Sequence, residues 1–405
     1  MNIRKILSFS IIIAFVLMIF QYPLYKFLPD NYVLIVNYID EILVGIFALI
    51  ILVKCFTGLK LLKYERIILI WFIGLMILGI ISTSVSQIQP HKAIIEDIIS
   101  CCKFIIPYIG VRLLIDTDAS QSILKILVKL AKIISVFLFI LLIIDFLLPN
   151  GLFESGIERN SFRSVQLFYQ HPASLAYVGF LIIALLSLEK QKVAKYKVMI
   201  IVVIFSTLRT RAIGFLFIYI IISMFKRLFA SRFKYLLIFF AIFGAILIGY
   251  DSIYLYYLNP EINSAREILT INSINLANNY FPFGAGFATY GSAAAAKYYS
   301  PIYLELGFNL RYGLSQMNSS YLTDTFWPIL FGQFGYLGVF IFGRIVIQFL
   351  KICTWFHKEK NVVFVSCFTL FGYLLVSTLG SSSYFNPVAV VYGITMALII
   401  TSNKK

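Results

Sequence analysis

Long apolar runs alternate with short polar breaks from one end of this chain to the other. A helix needs roughly 20 apolar residues to cross the hydrocarbon core of a bilayer. Runs of that kind lie near 6–25, 36–53, 67–85, 94–115, 133–149, 172–188, 196–209, 211–225, 235–254, 327–350, 362–380 and 386–400. They predict an all-α, polytopic membrane helix bundle of about 12 transmembrane helices, forming a single integral membrane domain over 1–405. The seventh and eighth runs are short and share the turn Arg209-Thr210-Arg211. Between the ninth and tenth lies one large polar stretch, 251–326, and no internal repeat interrupts the pattern.

The breaks fall into two kinds. Of the 34 Lys and Arg residues, 22 lie at Arg4/Lys5, 54–66, 125–132, 190–197, 226–234, 351–360 and Lys404/Lys405, which are every second break. Lys and Arg are retained on the cytoplasmic side of a membrane, so this alternation predicts cytoplasmic termini and an external face that carries 149–171 and the large loop 251–326. The net charge of +16 therefore reports topology and is not by itself a sign of nucleic-acid binding. With 60% hydrophobic and 13% charged residues and a mean hydropathy of +0.91, the composition lies outside the soluble globular range. The five cysteines form no CxxC or Cys/His cluster, so neither a disulfide nor a zinc site is expected. The N-terminal apolar run lacks a small-residue cleavage site and reads as a retained first span.

Cations on the predicted external face run against the insertion rule: Arg159, Arg163, Arg209, Arg211, Arg266 and Arg311. Arginine presents a planar fork of donors that suits phosphate, so a cluster of them at the membrane boundary could hold a lipid pyrophosphate. The competing account is that each snorkels to ordinary head groups or pairs with a nearby acid. Within the large loop, Ile268, Leu269, Ile271, Ile274 and Leu276 fit one face of a helix capped by Asn263 or Ser264, with Arg266 in its first turn. Gly284 and Gly286 stand among aromatics in a tight segment, and without a strand before it this GxG is no dinucleotide site. Asp324 closes the loop just before Phe326-Trp327-Pro328, where partial desolvation would suit a general base and an N-cap role is the alternative. His171 adjoins the first external loop. Glu96, Asp97, Lys103, Arg112, Asp145 and Arg344 fall inside predicted spans, either as functional groups or as pairs that fix helix packing; Glu96 and Lys103 share a helix face.

Four patches carry a resemblance to a known family. They are Arg163 with Phe168-Tyr-Gln-His171-Pro172-Ala173-Ser, the turn Ser206-Thr-Leu-Arg209-Thr-Arg211-Ala, Arg266 with Phe281-Pro-Phe-Gly284-Ala-Gly286, and Gly335-Tyr-Leu-Gly338 spaced after Asp324-Thr325. In these the chain resembles the O-antigen polymerase and O-antigen ligase superfamily. Ala173 stands where the family has Asn, and Asp324 where ligases carry His, which favours a repeat-unit polymerase over a ligase. The resemblance implies a metal-independent, cofactor-free glycosyltransferase at the outer face of a bacterial plasma membrane. It would join undecaprenyl-pyrophosphate-linked oligosaccharides into O-antigen, capsule or exopolysaccharide. Membrane lipids, a chain-length regulator and a flippase would be its partners, and nucleic acid would not. By the same resemblance Asp324 and Arg266 are catalytic, with Arg266 and Arg211 on the pyrophosphate and Arg163 and His171 on the second lipid-linked substrate. Arg209, Arg311, Gly284 and Gly286 complete the substrate-binding set. A flippase or exporter of the same lipid-linked sugars is the rival of another class.

Overall fold

A computed structural model describes residues 3–29, 33, 36–148, 158–159, 162–189, 191–224, 234–258, 263–359 and 361–403. The basic break at 226–233, the segment 149–157 and Lys404/Lys405 lie outside the described residues, as does the side chain of Arg159. Helix dominates. In chain order the α-helices are α1 (Ile3–Ile19), α2 (Gln21–Phe27), α3 (Ile39–Thr57), α4 (Lys63–Ser86), α5 (His91–Cys102), α6 (Ile105–Leu114), α7 (Thr117–Leu147), α8 (Pro172–Leu186), α9 (Ala194–Ser206), α10 (Thr210–Met224), α11 (Lys234–Ile253), α12 (Ala265–Asn279), α13 (Ala293–Lys297), α14 (Pro301–Glu305), α15 (Trp327–Glu359), α16 (Asn361–Ser377) and α17 (Pro387–Thr401). A two-stranded antiparallel ladder, Glu158–Arg159 with Phe162–Arg163, is the one piece of sheet among the described residues. Among the described residues three helices are long and apolar enough to cross a membrane: Lys63–Ser86, Thr117–Leu147 and Trp327–Phe356.

Several boundaries differ from the hydropathy reading, and two of them show a physical reason. The run 94–115 is two helices, α5 and α6, broken at Lys103-Phe104, and the Lys103 ammonium turns to the buried Asp40 carboxylate on α3 at 2.7 Å. Glu96 and Lys103 therefore do not meet: Glu96 binds Lys297 at 2.8 Å. The break at Lys125–Lys132 is instead part of α7, which starts at an Asp116 cap accepting from the Ala119 amide at 2.9 Å and contains no Gly or Pro to stop it.

The large loop is structured. α12 is capped by Ser264, whose hydroxyl accepts from the Glu267 amide at 3.2 Å. Leu269 and Leu276 turn inward while Ile271 and Ile274 remain exposed, so the expected apolar face is split. Leu269 and Leu276 join Tyr290, Tyr303, Phe308 and Leu322 in a small core of the loop's own. The segment 283–288 is threaded between α4 and α15, which is kinked at Gly335. Ser82 donates to the Phe283 and Gly284 carbonyls at 2.7 and 2.8 Å. The Ala285 and Gly286 amides donate to the Gly332 and Gln333 carbonyls at 2.8 and 2.9 Å. Gly284 has φ +80°, and a Cβ there would lie 2.4 Å from the Gly335 amide nitrogen, so the backbones touch only because neither residue has a side chain.

Candidate functional site

Where α10, α11 and α12 come together they enclose a cavity of ≈ 280 Å³. Arg209, from the turn between α9 and α10, and Arg211, from the first turn of α10, line it with Arg266 from the first turn of α12 and with Ser252, Tyr256 and Tyr257. Its remaining walls are mainly apolar, including Phe215, Ile218, Ile246, Ile253, Val376 and Leu379. Two guanidinium groups close in sequence and a third from 55 residues beyond Arg211 thus converge on one space that also has hydrocarbon walls.

Each arginine is placed by a separate local device. Arg266 donates to Asp324 Oδ2 at 3.2 Å, and its guanidinium lies over the Tyr256 ring, 4.4 Å from the centroid. Its buried Nε has no acceptor among the described residues. Tyr256 is itself held through its carbonyl, which accepts from the Ser264 hydroxyl at 2.6 Å, so the cap of α12 and the ring beneath its arginine are one unit. Arg211 Nη1 donates to the Ser377 carbonyl at the end of α16, 2.7 Å away. Arg209 Nη2 lies 2.8 Å from His171 Nε2, and His171 in turn caps α8 by accepting from the Ala173 amide at 3.1 Å. Tyr257 donates to the Leu379 carbonyl at 2.6 Å, which closes the rim.

Asp324 is not a helix cap: α15 starts at Trp327, and the carboxylate is engaged by Arg266. Burial pushes its carboxyl above the ordinary carboxylate range, against the opposing pull of Arg266 first and then of Arg211 and Arg209. The carboxylate therefore shares the field of all three arginines. At this edge of the cavity positive charge exceeds negative by two, counting the three guanidiniums against one ionised Asp324.

The other sequence-predicted residues fall elsewhere. Arg163 gives its Nη2 to both the carbonyl and the Oδ2 of Asp145 at the end of α7, each at 2.7 Å, and is not part of the cavity lining. The amide of Val165 donates to the Ser206 carbonyl at 3.0 Å, so its segment adjoins the Arg209 turn. Arg311 is exposed and outside the lining. Gly284 and Gly286 serve the α4–α15 crossing and do not face the cavity: a Cβ on Gly286 would meet Thr83 at 2.6 Å. Ser252, Tyr256 and Tyr257 were not singled out from sequence, although the tyrosine run Tyr254-Leu-Tyr-Tyr257 at the start of the loop was the available signal.

Most charges inside predicted spans are packing pairs. Arg112 binds Glu65, which also accepts from the Tyr108 hydroxyl at 2.8 Å, with both charged side chains at most 1% exposed. Asp97 accepts from the Ala288 amide at 2.6 Å and thereby pins the threaded segment. No protein-family profile, curated protein or solved structure matches this chain.

Proposed function

We propose that the protein is a polymerase of lipid-pyrophosphate-linked oligosaccharide repeat units, acting at the outer face of a bacterial plasma membrane. The observation that carries this reading is the convergence of Arg209, Arg211 and Arg266 with Asp324 beside a cavity with hydrocarbon walls. An anionic head group on an apolar chain matches both halves of that surface. The proposal includes a bundle of about 12 spans with both termini cytoplasmic, so that 251–326 and the turn at Arg209–Arg211 face outward.

In the proposed reaction a sugar hydroxyl of one undecaprenyl-pyrophosphate-linked oligosaccharide attacks the anomeric carbon of another. The new glycosidic bond forms as the bond to the pyrophosphate oxygen breaks, and the hydroxyl proton passes to Asp324. Charge that develops on the leaving pyrophosphate is met by fixed guanidinium donors, which need no reorganisation at the moment of reaction. Before substrate arrives, Asp324 occupies Arg266. A pyrophosphate that takes over Arg266 withdraws from Asp324 the strongest pull against its protonation, and so makes the carboxylate a better base. The base is thereby readied by the leaving group's own binding.

The test is a deletion strain. Cells lacking the protein should make and display a single repeat unit without long chains, and Asp324→Asn at normal expression should reproduce that phenotype. Accumulation of long lipid-linked polymer would instead identify a ligase, and single units stranded on the inner face a flippase.

A further inference from the structure

On the outside of the bundle, where α4 and α15 cross, lies an arginine with nothing to bind. Arg344 is on α15, and its only partner among the described residues is the ring of Trp71 on α4, 5.8 Å from the guanidinium carbon. It forms no ion pair or hydrogen bond there, and its Nε is buried without an acceptor. Two other cations within apolar helical runs, Lys103 and Arg112, have Asp40 and Glu65 as counter-ions. Five guanidinium donors without an acceptor are costly in a bilayer.

The neighbourhood faces lipid. Phe340 and Ile347, on either side of Arg344 along α15, are 59% and 42% exposed, and Ile70 and Ile73 beside Trp71 are 67% and 49% exposed. Gly74 and Gly343 have open space where a side chain would stand, so these two positions add no bulk to the face. The two helices run antiparallel, since Phe334 meets Gly79, Leu75 meets Gly338 and Trp71 meets Phe340. Arg344 lies seven residues from Lys351 and Trp71 eight from Lys63, or about 10–12 Å of helix rise from the basic end of each. The Arg344–Trp71 pair therefore belongs to the leaflet on the Lys63 and Lys351 side, the end opposite Asp324.

We propose that Arg344 and Trp71 form a binding site for the phosphate of an anionic membrane lipid. The guanidinium would take two phosphate oxygens through its fork. Trp71 would hold its orientation from one face, and the open glycines would admit the proximal part of an acyl chain. This site is independent of the arginine cavity and does not rest on the polymerase reading.

Native mass spectrometry of the full chain in neutral detergent, titrated with phosphatidylglycerol or with diacylglycerol of the same chains, tests it. The native protein should hold one phosphatidylglycerol at least tenfold more tightly than diacylglycerol. Arg344→Gln should lose that preference, and Arg344→Lys should keep part of it because the charge remains without the fork. Should Arg344→Gln fold poorly, phosphatidylglycerol should still raise the melting temperature of the native protein more than that of Trp71→Leu. Equal phosphatidylglycerol binding by native protein and Arg344→Gln would overturn the proposal. So would equal binding of the two lipids by the native protein, or an Ile347→Cys protein that cross-links to a second copy through this face.

Discussion

Replacing Arg266 by Lys keeps the charge and removes the fork, which separates a bidentate anion site from a general positive field. Arg266 uses one Nη on Asp324 and keeps a buried Nε with no acceptor, so a bound pyrophosphate would find donors that an ammonium cannot present in parallel. One lost charge-assisted hydrogen bond is worth about 1.5–3 kcal/mol, or about 10- to 150-fold in rate if the bond is made in the transition state. The assay is conversion of lipid-linked repeat units to polymer ladders in membranes at matched protein level. Its pH profile supplies a second readout. Asp324 must be ionised to accept a proton, and burial raises its pKa, so activity should fall on acidification at a higher pH than for an ordinary carboxylate. Arg266 opposes that rise. Arg266→Gln should therefore move the acid limb further up, whereas Arg266→Lys should lower the rate and leave the limb close to its native position. A Lys variant within twofold of native activity, or a Gln variant with an unmoved limb, would refute the assignment of both residues.

Three further outcomes follow from the geometry. Gly284→Ala puts a Cβ 2.4 Å from the Gly335 amide nitrogen at φ +80°, so left-handed strain of about 1–2 kcal/mol adds to overpacking of about 1–3 kcal/mol; an unchanged melting temperature in detergent would contradict the close crossing. Glu65→Gln strips the countercharge from Arg112, whose side chain is 1% exposed, and should cost about 3–5 kcal/mol of stability in the same melting assay. Reporter fusions at Lys60 and Ser292 should read cytoplasmic and external respectively, and a cytoplasmic signal at Ser292 would remove the proposed outer active face.

What the sequence disclosed depended on the range of the interaction. Hydrophobic length is a local property, and the apolar runs became helices with shifted edges. The edges moved where a cation did not act as its hydropathy suggests. Lys103 broke its run to reach Asp40, while the cations of Lys125–Lys132 rode on α7 without breaking it. Arg266, Asp324, Arg209 and Arg211 were recognisable as unusual residues, but the Arg266–Asp324 contact spans 58 positions and no local pattern encodes it. Gly284 and Gly286 were noticed for their lack of side chains, and the structure sets that property at a helix crossing. Their lack of side chains lets two backbones touch at the α4–α15 crossing, a demand made by a partner residue that the local sequence does not contain.

The use of guanidinium donors separates structural from available arginines in this fold. Arg112 is engaged by Glu65 through Nε and Nη2 and by Thr401 through Nη1, and Arg163 is turned onto the end of α7 by two contacts with Asp145. Both lie where an unfilled donor would be buried in the bundle, and each has acceptors from another element. Arg266 and Arg344 break that rule, since each leaves its buried Nε without an acceptor among the described residues. Leaving such a donor empty costs on the order of 1–3 kcal/mol, a cost that an acceptor supplied from outside the chain would remove. At Arg266 the surroundings are a cavity with two more arginines and hydrocarbon walls, and at Arg344 they are an exposed apolar face with Phe340, Ile347, Ile70 and Ile73. The first geometry suits an anion carried into the protein on an apolar tail, and the second an anion that stays in its own leaflet.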